Sequence, residues 1–342
     1  MHTDSSANTT RRRNALLAAI AACALVCGDG WAATDFNPAK PAPGNLRFAW
    51  IHGSISAMHN TDPRIQIHRY NEHSYILRQN PAVHWEAPFM YLLFGAERVL
   101  LIDTGATEEL EYFPLRNVVD AVIARWTTAQ QHDTEPELVI LTTGDAPAQT
   151  AGLGQFTGRP NTRIATATPG GLPKLSLLNA QSETEGTLDL GGRIIHVLAT
   201  PGTSATGISL YDPYTDFLFT GTTMLPGRIV IRDYDAYFNS VTRLSRFTEE
   251  MPVAALMGGQ IDMSSEPGVD YRLRSNFRPN ERGLTLPVAA LKECLSVVHL
   301  INGREAVEVL PDFIVMNGVG RGYRPYGFPM YQPDFTRQRR LR

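Results

Sequence analysis

Apolar runs of strand length recur along this chain, with helix-period stretches between them. Met90–Phe94 and Val99–Asp103 flank Gly95-Ala96-Glu97-Arg98, a pattern that predicts a hairpin. Leu115–Trp126 puts Leu115, Val118, Val119, Val122 and Ile123 on one face of a helix. Leu138–Leu141 and Arg163–Ala167 read as short buried strands. Thr187–Leu198 reads as a second hairpin turning at Gly191-Gly192. Ile208–Tyr211 and Phe217–Thr220 form a further pair joined by Asp212-Pro213. A helix over Asp235–Glu250, a strand over Ala254–Met257, a helix over Leu286–Ile301 and a strand over Ala306–Leu310 complete the series. Strands lead, helices interleave, and the series runs twice. The expected architecture is α/β, an αββα sandwich of two mixed β-sheets with helices outside.

The two ends break this pattern. Arg11-Arg12-Arg13 precede an apolar run, Ala15–Cys27, and Gly30-Trp31-Ala32 supplies small residues at a signal-peptidase site. Residues 1–32 therefore read as a signal peptide, which makes the protein secreted: periplasmic or extracellular. Two other export routes stay open. The paired arginines resemble a twin-arginine signal, and Ile20-Ala21-Ala22-Cys23 resembles a lipoprotein box, with a lipid anchor at Cys23. Residues 33–46 read as a linker or extended arm, residues 47–317 as the domain, and residues 318–342 as a basic, aromatic C-terminal tail. That tail is either a docking strap or a terminus whose aromatics pack on the domain.

Composition narrows the function classes. With 342 residues, 43% hydrophobic and 19% charged, and a formal net charge of −3, the chain has no disordered bias. Nor does it carry the global basic field that a nucleic-acid partner requires. Of its three cysteines, Cys23 and Cys27 fall in the leader and Cys294 in a helical pattern with Leu291, Leu295 and Val298. Neither an intrachain disulfide nor a cysteine metal site is expected, and Cys294 reads as a buried structural thiol.

Five segments, in order, resemble the metallo-β-lactamase superfamily over roughly residues 65–265. Val99-Leu-Leu-Ile-Asp103-Thr104-Gly105 resembles its strand ending in Asp-Thr-Gly. Val139–Thr143 followed by Ala151-Gly152-Leu153 resembles the strand and loop of its H-x-H-x-D-H motif. Leu198-Ala-Thr-Pro201-Gly202 resembles its Pro-Gly-His segment. Phe217–Gly221 resembles the strand before its bridging aspartate, and Leu256-Met-Gly258-Gly259 the strand before its last histidine. The resemblance implies a hydrolase-like fold in which zinc-type ions, held by imidazoles and carboxylates, activate a water.

The ligand positions that the resemblance assigns are emptied here. The histidine and aspartate motif falls on Gly144, Ala146, Ala148 and Gln149, the Pro-Gly-His histidine on Thr203, the bridging aspartate on Thr222 and the last histidine on Gln260. Asp145 is the one ionisable residue of that loop, and a single carboxylate with neutral partners does not make a metal site. Replacing the whole set avoids stranding buried charges that a cation would otherwise neutralise. No metal and no cofactor is expected, although the family implies zinc.

Asp103 keeps its family position, read as structural. His68, His73 and His84 read as satisfied structural histidines, His84 also as a possible ligand contact, and His196 as a solvent-side strand position. Thr142, Thr143, Thr203, Thr222 and Thr223 are expected to edge the old metal pocket. Arg228 and Arg232 are candidates for an anionic ligand, or else solvated strand-edge charges. The first functional expectation is a pseudoenzyme that binds a small molecule or protein partner in the old cleft. The second is a hydrolase of altered mechanism, metal-independent or weakly mononuclear, on an ester, amide or phosphoester, with Asp145, Thr203 and Thr222 as the weak catalytic candidates. The third is an interaction protein with a vestigial cleft. An open polar pocket favours the first, a histidine bonded to Thr203 or Thr222 the second, and a cleft plugged by Gln149 and Gln260 the third.

Overall fold

The computed structural model describes residues 34–36, 39–323 and 329–331. The expected leader, with Arg11–Arg13, Cys23 and the site after Ala32, lies outside these residues. So do Arg324, Tyr326, Phe328 and everything from residue 332 on. Contacts divide the chain after Asp35, and the unit that carries the fold starts at Phe36. Among the described residues no helix is long and apolar enough to cross a membrane.

The first sheet has the order β1 (Ile65–Asn71), β2 (Ser74–Gln79), β3 (Phe89–Phe94), β4 (Arg98–Ile102), β5 (Glu137–Thr142), β6 (Thr162–Thr166). Its first four strands pair antiparallel and its last three parallel. The second sheet runs from β7 (Leu178–Ala180) through β8 (Glu185–Asp189), β9 (Ile194–Ala199), β10 (Ile208–Asp212) and β11 (Phe217–Gly221) to β13 (Ala255–Gly258) and β15 (Thr285–Leu286). It is antiparallel apart from the β11–β13 pair. A small third sheet joins β12 (Arg228–Ile231), β17 (Ile314–Asn317) and β16 (Ala306–Val309), and β14 (Asp270–Tyr271) pairs with β18 (Met330–Tyr331).

Alternation along the strands explains why these runs are apolar on both faces. One core lies between the large sheets, where Tyr91, Leu93, Leu100 and Ile102 meet Ile195, Val197, Leu210 and Phe219. The opposite face of the first sheet (Leu92, Phe94, Leu101, Ile140) packs on Val119, Ile123 and Trp126 of helix α1 (Leu115–Ala129). One turn of helix, α2 (Pro147–Thr150), follows β5. The opposite face of the second sheet (Leu198, Tyr211, Leu218, Leu256) packs on α3 (Tyr234–Glu250) and α4 (Ala289–Ile301). The layers are helix, sheet, sheet, helix, as the pattern predicts.

Several local expectations change in detail. The helix expected from Leu286 starts at Ala289, because Pro287 lacks an N–H and Leu286 is taken into β15. His196 does not face solvent: it is half-buried, with its ring 5.7 Å from Tyr211 and 6.0 Å from Phe247 of α3. Phe36, within the expected arm, is buried against His73 and Tyr214. The Ala42 N–H donates to the Tyr214 carbonyl and the Asn45 N–H to that of Tyr70. Cys294 is fully buried and sits 3.3 Å from the Tyr237 hydroxyl, and burial pushes its thiol up to about 12.

Candidate functional site

The loop after β5 is held by a buried carboxylate. Asp103, directly after β4, has φ of +63°, a conformation that short polar side chains tolerate best. Its Oδ1 accepts the Thr143 N–H at 2.6 Å and its Oδ2 the Thr143 hydroxyl at 2.7 Å. Burial raises the Asp103 pKa to about 7, and the two bonds from Thr143 offset part of that rise. The loop then runs through Gly144 and Asp145 into α2, where Pro147 takes the first helical position, in which its missing N–H costs nothing. The Gln149 carbonyl accepts both the N–H and the hydroxyl of Thr104, which pins this turn to the end of β4.

Two glycines bring the other segments to the same end. Gly202 has φ of +132°, and a β-carbon there would lie 2.4 Å from Cα of Tyr237, so only glycine lets the loop after β9 pass α3. Gly221 has φ of +53°, and a β-carbon there would sit 2.3 Å from the Thr143 hydroxyl. The Gly259 N–H donates to the Gly221 carbonyl at 2.8 Å, aligning the ends of β11 and β13.

These segments enclose a cleft of about 730 Å³. Six of the seven assigned positions line it: Ala146, Ala148, Gln149, Thr203, Thr222 and Gln260. Gly144 does not reach it. It has no side chain, and the place its β-carbon would occupy lies 3.3 Å from the Ser204 side chain, which faces the cleft instead. Thr203 and Thr222 bond to each other, Oγ1 to Oγ1 at 2.9 Å. The Gln149 Oε1 is buried without a hydrogen-bond partner among the described residues.

The remaining expected site residues fall elsewhere. Thr142, Thr143 and Thr223 are buried behind the cleft, Thr143 as the clamp on Asp103. Asp145 is exposed, outside the lining, and accepts the Ser204 hydroxyl at 2.7 Å. Ser204 Oγ also accepts the N–H groups of Asp145 and Thr206, so it works as a turn cap. His84 also stays outside the lining. Its Nδ1 accepts the Glu86 N–H at 3.3 Å, and burial lowers its pKa. His68 is buried, stacked on Phe48 at 4.1 Å, with Nε2 at 2.5 Å from the Asn45 carbonyl. His73 accepts the Trp126 indole N–H at 3.2 Å, and burial takes its pKa down to about 4.

Arginines supply the charge of the cleft. Arg228, Arg232, Arg274 and Arg321 line it, with Glu86 as the one acid in the lining. Arg228 is not a solvated strand-edge charge. It is 6% exposed and pairs with Asp270 at 2.5 Å and with Asp262 at 3.8 Å. Arg321, from the expected tail, reaches Asp262 at 2.9 and 3.0 Å, pairs with Glu86, and lies 5.0 Å over the Trp85 ring. Asp262 also accepts the Gln260 amide at 3.1 Å. Burial pushes the Asp262 pKa up, but Arg321, Arg228 and Arg278, with the Arg228 N–H, outweigh it and bring the carboxyl down to about 2. Arg232 and Arg274 are exposed, and neither has an ion pair among the described residues.

The donor set does not fit the zinc-type ions that the resemblance implies. Ala146 and Ala148 offer no donor atom, Thr203, Thr222, Gln149 and Gln260 only neutral ones, and Asp262 is already neutralised by guanidinium groups. Among the described residues, no three His, Cys, Asp or Glu side chains group so that they could hold a metal ion. The sequence reading does not pick out Trp85, Glu86, Asp262, Arg274 or Arg321. The one signal near them is Asp262 itself, a lone acid two residues beyond the last emptied position.

No family model matches this sequence, and no curated protein does. Solved structures similar to it include a metallo-beta-lactamase from Pontibacter korlensis, at 15% identity over 69% of this chain and 99% of that one, with a TM-score of 0.46. Another is a metallo-beta-lactamase from Erythrobacter litoralis, at 12% identity over 70% and 99%, with a TM-score of 0.47. A third is the DIM-1 metallo-beta-lactamase, at 16% identity over 70% and 98%, with a TM-score of 0.46. These are likenesses only; the fold rests on the chain's own two mixed sheets and outer helices, with the five motif segments in their expected strands and loops. The topology is the αββα sandwich of two mixed sheets that the sequence pattern predicts, with neutral side chains at all seven positions where the resemblance to the metallo-β-lactamase superfamily expects metal ligands.

Proposed function

We propose that this protein is an exported, non-catalytic member of its fold that binds a small molecule in the cleft where a hydrolase would hold its metals. The observation that carries the reading is the cleft itself, open at about 730 Å³ and lined by six of the emptied positions. A cavity of that size suits a small-molecule ligand. Gln149 and Gln260 are buried in its wall and do not fill it, which argues against a vestigial cleft.

The support for metal-independent hydrolysis is weaker. Thr203 and Thr222 bond to each other, and among the described residues no histidine or lysine hydrogen-bonds to either. A threonine nucleophile without a base is not activated. Asp145 binds the Ser204 hydroxyl and not a threonine of the cleft.

The test is turnover by the purified protein with and without added zinc or manganese, on a β-lactam, a thioester and a phosphodiester. The expected result is none above the uncatalysed rate. Metal-dependent turnover that disappears in Asp145→Ala would overturn the reading in favour of a mononuclear hydrolase.

A further inference from the structure

We infer that the ligand of the cleft is an organic anion, a carboxylate or phosphate head on an apolar body, held by Arg232 and Arg274. This rests on the proposed binding role of the cleft and adds the chemical class of what it binds. Two independent observations carry it. The first is the charge arrangement. Arg228 and Arg321 are consumed by Asp262, Asp270 and Glu86, whereas Arg232 and Arg274 line the same cavity with no acidic partner among the described residues. The nearest acids by sequence are otherwise engaged: Asp233 caps α3 through the Ala236 N–H, and Asp270, four residues before Arg274, pairs with Arg228. Two guanidinium groups at a walled cavity focus a positive potential into it. Each offers charge-assisted, planar hydrogen bonding suited to a carboxylate or phosphate.

The second observation is the orphaned amide oxygen of Gln149, an acceptor that calls for a donor from whatever fills the cleft. This side chain is 3% exposed and lines the cleft, and its Oε1 accepts no hydrogen bond among the described residues. A buried polar group without a partner costs stability unless a ligand or water completes it. The same lining carries apolar side chains, among them Val230, Leu273 and Val319. An acceptor that calls for a ligand N–H or O–H, apolar side chains and cations without counter-charges together describe a site for an amphiphilic anion that carries a donor away from its acid head.

The probes are three isosteres measured by calorimetry on the full chain: 4-phenylbutyrate, 4-phenylbutanol and 4-phenylbutylammonium. The carboxylate is expected to bind at least tenfold more tightly than the alcohol, with no binding of the ammonium. Arg232→Ala combined with Arg274→Ala should weaken the carboxylate tenfold or more and leave the alcohol unchanged. Both arginines are exposed, so an unchanged melting temperature in the double variant is the folding control. Thr222→Trp, which fills the cleft, should abolish binding of every probe. Equal binding of alcohol and carboxylate, or carboxylate binding that survives the double variant, overturns the anion assignment but leaves a binding cleft. Probe binding that survives Thr222→Trp, or no binding of any probe, overturns the binding role of the cleft as well.

Discussion

Asp103 shows how one side chain couples the sequence motif to the cleft. It fixes Thr143 through two hydrogen bonds while itself buried, and its pKa of about 7 stands well above the 3.8 of an ordinary aspartate. In the window between those values the folded protein binds a proton that the unfolded chain does not. Its contribution to stability is therefore complete below pH 3.8 and declines as pH rises through 7. Asp262, held near 2, works in the opposite direction and loses its contribution only as pH falls toward that value. Urea denaturation of wild type and Asp103→Asn isolates the first effect, since asparagine tolerates the positive φ and does not titrate. The stability of wild type relative to the variant should fall as pH rises from 4 to 7.5. A constant difference, or one that grows, contradicts the burial argument. The position of Asp103 is legible in the sequence because Asp-Thr-Gly closes a strand. The pairing of Arg321 with Glu86 is not, because it joins residues 235 positions apart that no motif connects.

At the scale of elements, the two large sheets are tied by Arg193. Just before β9, its guanidinium donates to Asp212 at 2.6 and 3.0 Å, to the His73 and Phe94 carbonyls at 2.7 and 2.9 Å, and to the Ser74 hydroxyl at 2.9 Å. Both members of the pair are fully buried. Arg193→Ala leaves the buried Asp212 without its counter-charge, bonded only to the Thr215 hydroxyl and the Tyr214 N–H, and is expected to cost about 3–5 kcal/mol of stability, measured by denaturant unfolding. Arg193→Met with Asp212→Leu removes both charges and should cost less than the single change. A loss below about 1 kcal/mol in Arg193→Ala would mean the pair is not the tie it resembles. The hairpin beside it is legible, because Gly191 and Gly192 take positive φ and their N–H groups cap onto Asp189 at 2.8 Å each. The first strands, β1 and β2, are not read as strands from the sequence. Their polar residues, His68, Arg78 and Gln79, are buried and paired with distant partners, and this hides the strand pattern. Of the third sheet, β16 is expected from Ala306–Leu310, but β12 is not: Arg228 heads it, and its neutralising acids lie in other segments.

For the whole molecule, the central claim is that the fold stands without metal. The positions are emptied together, and the acids at this end of the sandwich, Asp262, Asp270 and Glu86, are neutralised within the protein by Arg228 and Arg321. The emptied positions are legible in the sequence because backbone punctuation survives around them. Of the guanidinium groups, Arg228 and Arg232 stand out in the sequence as candidate anion contacts, but Arg274 and Arg321 do not, because no motif ties their segments to the cleft. A protein that binds metal only when folded gains about 2.7 kcal/mol at a hundredfold excess over its dissociation constant. For a domain of roughly 150–250 residues each kcal/mol is worth about 2–4 °C of melting temperature. Thermal unfolding of the purified protein, with and without EDTA and then with added zinc, measures this directly. No shift beyond error is expected in either direction. A chelator-induced drop of about 5 °C or more, restored by one added metal, would contradict it.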